Sequence, residues 1–331
     1  MSVKIGITGA AGFVGVNLAL AAESAGYEVT LYDVGDRMGR LSATGLAQRV
    51  RCRFADLSAP EAAVDSDLDV IVHLAALPQV DFSLYHPELV AVNNVASTVA
   101  VLGAARKSGI PVLFSSSIEV YGGNDGALFD EDSRLIPLSA YAASKIACEN
   151  LVGSYQNSYG TSSTTVRLTN LYGPWQLPDR IVPRVAVQSL LGIRSEAVTG
   201  RLRDFMHVSD AVSAILKLIE LGSWGNVFNI STGEGVGLEG VVSTVVGSND
   251  FSTVSPPIVD GRGASLVATS QRLSDSVGWK PEKHFLSGVQ ETVDWYGSHR
   301  SWWERFEQLV RADRSGPEFL ADHMFPIGEK A

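Results

Sequence analysis

Tyr141 and Lys145 lie four residues apart in a stretch of helical periodicity, Ala140–Tyr159, so a phenol and an ammonium point from one face. A nearby ammonium favours phenolate and lowers a pKa that is ordinarily about 10. A phenol tuned in this way serves as general base or acid. Tyr-x-x-x-Lys alone occurs on many helices by chance. Here Ser115-Ser116-Ser117 closes an apolar run upstream, where a hydroxyl could share a substrate proton with Tyr141.

A second constellation is Gly9-x-x-Gly12-x-x-Gly15, set between the β-type run Val3–Thr8 and a helical stretch from Val16 to Gly26. The glycines permit a tight turn, close backbone approach to a pyrophosphate and close helix–strand packing, and the helix N-terminus offers N–H groups to phosphates. A glycine-rich turn without a ligand has the same letters, but the strand and helix on either side favour a cofactor. Asp33 ends the second strand, Tyr27–Tyr32. A carboxylate there accepts from ribose hydroxyls and repels a 2′-phosphate, which favours NAD over NADP, although Arg37 and Arg40 follow closely. Asp56 follows the third strand and reads equally as an adenine contact or a turn residue.

These groups need a frame. Apolar runs at Val50–Phe54, Val70–Leu74, Val112–Ser115, Ser163–Arg167 and Val227–Ile230 alternate with helical stretches at Pro87–Lys107, Ala140–Tyr159 and Ser209–Leu221. Strand and helix in alternation predict an α/β fold, a doubly wound parallel sheet of Rossmann type covered on both faces. The less regular segments Leu177–Gly200 and Leu238 onward predict a smaller lobe. The expected division is a dinucleotide domain over 1–175, returning near 201–233, and a substrate lobe from 176–200 and 234–300. A 301–331 extension has no assigned role.

The 331 residues are 45% hydrophobic, enough for a sizeable core. Lys and Arg number 26 against 36 Asp and Glu, a net charge of −10 with no basic block, so neither nucleic acid nor an anionic membrane is an expected partner. Two cysteines, Cys52 and Cys148, suit a reducing compartment and no disulfide framework. No unbroken apolar run of 18 residues occurs, so no membrane span is expected. Lys4 and the apolar residues up to Ala22 have the order of a signal peptide, but Thr8, Asn17 and the spaced glycines interrupt them, and a cytoplasmic location is expected. His73 and His207 sit alone in apolar stretches and read as structural, Asp130-Glu131-Asp132 reads as a solvated loop, and no cluster has metal spacing.

Taken together, Gly9-x-x-Gly12-x-x-Gly15, Ser117 with Val120-Tyr121-Gly122, and Tyr141-x-x-x-Lys145 resemble the extended short-chain dehydrogenase/reductase superfamily, in its nucleotide-sugar epimerase/dehydratase branch. His73-Leu74-Ala75-Ala76, Asn94-Val95, Asn170-Leu171-Tyr172-Gly173-Pro174, Arg203-Asp204 and Gly278-Trp279-x-Pro281 agree, so the resemblance runs from residue 3 to about 297. It implies that Tyr141 takes a proton from a sugar hydroxyl while NAD accepts hydride from the same carbon. Ser117 would hold the reacting oxygen, Lys145 the nicotinamide ribose. Phe13, Val14, Asp56, Leu57, Leu74, Ala75, Ala76 and Asn94 would complete the cofactor site. Ser83, Asn170, Arg203 and Arg262 would meet the sugar nucleotide, a UDP- or dTDP-sugar, with guanidinium suited to its diphosphate. The resemblance also implies a homodimer built on the Pro87 and Ala140 helices.

Ser117-Ile118-Glu119 bears on the reaction. Simple 4-epimerases of this branch commonly carry a small residue where Glu119 stands; dTDP-glucose 4,6-dehydratases have Thr-Asp-Glu, and uronate decarboxylases a Thr-Ser-Glu type. Glu119 could remove the C5 proton of a 4-keto sugar, whereas Ile118 cannot protonate a leaving hydroxyl. The expectation is NAD-dependent epimerisation through a 4-keto intermediate. The alternative is 4,6-dehydration or uronate decarboxylation using Glu119. A non-catalytic NAD-binding scaffold is a third reading, opposed by the intact Ser117, Tyr141 and Lys145.

Overall fold

A computed structural model describes residues 2–36, 39–59, 64–123, 126–255 and 265–311. In chain order the strands are β1 (Lys4–Thr8), β2 (Glu28–Asp33), β3 (Arg51–Phe54), β4 (Val70–His73), β5 (Val112–Ser117), β6 (Ser163–Leu168), β7 (Asn170–Tyr172), β8 (Glu196–Val198), β9 (Leu202–His207), β10 (Val227–Ile230), β11 (Gly235–Gly237), β12 (Ser252–Val254) and β13 (Ser265–Leu266). Seven form one parallel sheet in the order β10-β6-β5-β4-β1-β2-β3. β4, β5 and β6 are buried along their whole length, as runs such as Val70–His73 require when helices cover both faces. The strand order reverses between β1 and β4, so the loops after these two strands part and leave a crevice at their carboxyl ends.

Helix ends follow local chemistry. Ser139 caps the Ala140–Tyr159 helix by accepting from Ala142 N at 3.1 Å, and Gly160 ends it with φ +67°. The first helix runs from Phe13 to Ser24, with Gly12 as its N-cap, one turn earlier than its apolar spacing predicts. The helix Pro87–Ser108 has a mean hydropathy of 1.4 over its most apolar window and is long enough to cross a membrane. Asn93, Asn94, Ser97 and Thr98 break the run in the sequence, and the helix packs on the Ala140–Tyr159 helix.

A smaller lobe is assembled from separated pieces. β9 pairs with β7, β11 and β13, while β8 pairs with β12. Its core joins Val182, Val185 and Ala186 to Val241, Val242, Tyr296, Trp302, Trp303, Leu309 and Val310. Residues 301–311 are therefore part of that core and not an appendage.

Two ionic features fix the frame. Arg167 in β6 pairs with Glu149 at 2.7 Å, both nearly buried, and donates to the Tyr121 hydroxyl at 2.8 Å. Removing one partner of such a pair typically costs ~3–5 kcal/mol, because the other charge is left buried. Glu131 corrects the reading of a solvated acidic loop: it is buried, accepts from Asn229 N at 2.7 Å and so ties its loop to β10. A carboxylate that satisfies a buried strand N–H is held inside.

Candidate active site

The crevice between sheet and lobe holds a cavity of about 820 Å³. Its floor is the turn after β1. Gly9 has φ +67°, and a Cβ there would stand 2.7 Å from Ala75 N, so the β4 loop can approach only a glycine. A Cβ on Gly15 would strike the Gly9 carbonyl oxygen and stand 2.7 Å from Ala10 Cα. Thr8 Oγ1 accepts from both Leu74 N and Ala75 N at 3.2 Å and meets His73 Nδ1 at 2.7 Å, while His73 Nε2 lies 3.2 Å from Thr98 Oγ1. His73 is structural, as expected: burial pushes its pKa down to about 3.

Asp33 Oδ2 accepts from Ala11 N at 2.8 Å, which fixes the carboxylate over the glycine turn. Arg40, beside it in the sequence, is buried and gives its guanidinium to the carbonyls of Ala11 (2.9 Å) and Trp175 (2.6 Å). It is thus directed at backbone and not at a 2′-phosphate; Arg37 lies outside the described residues. Asp56 acts as a turn residue, accepting from Ser58 N and Oγ at 2.8 and 2.7 Å, and it lines the cavity with Leu57. Phe13, Val14, Leu74, Ala75 and Ala76 line it as well.

β5 and the turn after it bring Ser117 and Glu119 to the cavity. Ser117 ends the strand, and its hydroxyl accepts from Glu119 N at 3.2 Å, starting the single 3₁₀ turn Ile118–Tyr121. That turn leaves Glu119 on the cavity wall with Ser117, Tyr141 and Lys145. Ile118 goes the other way, into an apolar cluster with Val120, Tyr121, Phe129 and Leu266.

The pairing of Tyr141 with Lys145 differs from the expected tuning. Burial pushes the Tyr141 phenol up to about 12; the Ser117 hydrogen bond and the Arg180 charge oppose this, and the Glu119 charge adds to it. Lys145 is buried, donates to the Ser115 carbonyl at 2.7 Å and lies 5.0 Å from the Phe114 ring centroid; burial lowers its pKa to about 8. Sharing a helix face brings the two residues to one cavity wall, but burial is the largest influence on each, and the cation that opposes it at Tyr141 is Arg180.

Other expected residues sort by position. Asn170 and Arg203 line the cavity, Asn170 donating to Asp204 O at 3.1 Å and Arg203 to Leu202 O at 2.8 Å. Asn94 and Ser83 are buried behind it. The Asn94 amide accepts from Leu77 N at 2.8 Å and donates to Ser144 Oγ at 3.0 Å, so it shapes the wall; Ser83 donates to Val80 O at 2.8 Å. Neither lines the cavity, and their polar atoms are used within the protein. Arg262 lies outside the described residues. Sequence reasoning missed Arg180, Arg184 and Arg201 on the lobe side of the cavity, which carry no spacing signal within their irregular segment. Among the described residues no cluster could hold a metal ion.

The model of the NAD dependent epimerase/dehydratase family matches residues 5–231, spanning every strand of the main sheet. The chain belongs to that family. A dTDP-glucose 4,6-dehydratase of Mycolicibacterium smegmatis is 31% identical to this family member over 325 residues, covering 92% of this chain and 97% of the relative. The dTDP-glucose 4,6-dehydratase DesIV of Streptomyces venezuelae, solved with NAD, superposes with a TM-score of 0.82 at 26% identity, over 91% of this chain and 99% of that one. The UDP-glucose 4-epimerase of Thermus thermophilus, also solved with NAD, gives 0.79 at 26%, over 89% and 99%. NAD is the cofactor. The glycine turn, packed against its own backbone and the β4 loop too closely for a Cβ at Gly9 or Gly15, lines the cavity beside the fixed Asp33 carboxylate, and this pairing fits a dinucleotide.

Proposed function

We propose that the enzyme oxidises a nucleoside-diphosphate hexose at C4 and then eliminates water between C5 and C6. This puts dehydration ahead of the epimerisation expected from the sequence. The observation that carries it is Glu119, a carboxylate on the same cavity wall as Tyr141 and close enough to act on its titration. Epimerisation at C4 has no use for that group. The full-length similarity to dTDP-glucose 4,6-dehydratases supports the same order.

NAD, when bound, supplies the hydride acceptor and later the donor. Tyr141 takes the C4 hydroxyl proton as the C4–H leaves as hydride, and Ser117 hydrogen-bonds the developing ketone oxygen. The ketone acidifies C5–H, and Glu119 removes that proton. With Ile118 facing the apolar cluster, Glu119 passes the proton to the departing C6 hydroxyl, which leaves as water. Hydride returns to C6, and the proton that Tyr141 took from the C4 hydroxyl reaches C5 by way of solvent and Glu119, giving a 4-keto-6-deoxy sugar and restoring both residues. Incubation with UDP- and dTDP-hexoses and UDP-glucuronate, read by mass spectrometry and NMR, tests this. Loss of one water is expected; an unchanged mass with inverted C4 means epimerisation, and loss of carbon dioxide means decarboxylation.

We also propose a homodimer. Leu89, Val92 and Val99 leave an apolar stripe on the Pro87–Ser108 helix, with Val92 68% exposed, beside the Ala140–Tyr159 helix. Light scattering at micromolar protein should give twice the chain mass; a monomer mass would overturn the proposal.

A further inference from the structure

Trp175 is the one non-glycine residue with a clearly positive φ, +68°, among the described residues. For a bulky side chain that conformation costs of order 1–3 kcal/mol and persists only where surroundings enforce it. Four residues enforce it here. The Trp175 ring meets Trp295 and Trp302 edge-on, at 5.0 and 5.4 Å between centroids. The Tyr296 hydroxyl donates to the next carbonyl, Gln176 O. Arg40 Nε donates to Trp175 O at 2.6 Å.

Arg40 reaches both sides of the crevice. Its Nη1 bonds Ala11 O in the glycine turn at 2.9 Å, while Asp33 holds Ala11 N from the other side. Its guanidinium carbon lies 5.8 Å from the Trp302 ring centroid. Ala11 and Gln176 both line the cavity. One guanidinium thus spans the gap between the cofactor turn and the lobe turn, backed by the C-terminal aromatic block.

We propose that Arg40 is a positioning residue for NAD: by bonding Ala11 O and Trp175 O together, it holds the crevice at the width the dinucleotide needs, with Trp295 and Trp302 as its backing. A guanidinium suits this because its planar fork bonds two divergent carbonyls at once. The cost of burying a cation is offset by the two charge-assisted bonds.

The test uses Arg40→Met, which keeps the length and packing of the stem and removes both donors. NAD and NADP affinities are measured by titration calorimetry on cofactor-stripped protein, well below the variant's melting temperature. Both should weaken about tenfold, as loss of two preorganising bonds implies, with the NADP-to-NAD ratio unchanged. A residue that only stabilises the fold would lower the melting temperature and leave affinity as it was. An NAD affinity within twofold of wild type therefore overturns the proposal. A ratio shifted fivefold or more also overturns it, by making Arg40 a direct phosphate ligand. If Arg40→Met does not fold, Arg40→Lys serves. Its single ammonium reaches one carbonyl, so a loss smaller than tenfold but clearly above twofold is expected, and wild-type affinity overturns the proposal.

Discussion

Tyr141→Phe should lower turnover by ~10²–10⁴-fold while NAD still binds. The ring is buried against Val80, Phe82 and Val90, so its packing survives the change, and only the oxygen that exchanges the proton is lost. Without cofactor the phenol is held protonated, its pKa pushed up to about 12 by burial. The Ser117 hydrogen bond and the Arg180 charge pull it back. Steady-state kinetics with the substrate found in the panel, together with an NAD titration, check this. Turnover within a few-fold of wild type would remove Tyr141 from the mechanism.

Glu119→Gln should abolish solvent deuterium incorporation at C5 and cut formation of the dehydrated product by orders of magnitude, with C4 oxidation retained. Glutamine keeps the volume and the ability to hydrogen-bond, but it cannot take a proton from carbon. Reduced cofactor should accumulate, visible as near-ultraviolet absorbance, because oxidation proceeds and elimination does not. An epimerase would lose little and show no C5 exchange in wild type. The two outcomes are far apart, and NMR of the product in deuterated water separates them.

The runs Val70–Leu74 and Val112–Ser115 were legible as central strands because burial on both faces demands unbroken apolar letters, and all seven expected strands lie in the one sheet. The spacings at Gly9 and Tyr141 were legible because a turn and a helix face impose them locally. The lobe was less so: β7, β11 and β13 are only two or three residues long, and their pairing with β9 joins segments distant in sequence. In the site, the roles of Asn94 and Ser83 were hidden for a similar reason. Which way an amide or hydroxyl points depends on Leu77, Ser144 and Val80, which no local spacing specifies. Arg40 was ambiguous until the Trp175 carbonyl, 135 residues away along the chain, appeared as its acceptor.

The interleaving of the two units also bears on how the chain acquires its structure during synthesis. β10 completes the main sheet only after β7, β8 and β9 of the lobe have been made, and the lobe core lacks Trp302, Trp303 and Val310 until nearly the last described residue has emerged. The main sheet must wait for the first lobe strands to be made, and the lobe core cannot close until the main sheet is complete. Contacts of such long sequence separation pay their loop-closure entropy early and are rewarded late, so docking of the C-terminal aromatic block is expected to be the late step of folding. A chain cut short before Trp295 would expose the Val182–Ala186 face and leave Trp175 without its backing, so chaperone dependence should be concentrated in the interval before the C-terminal aromatic block docks.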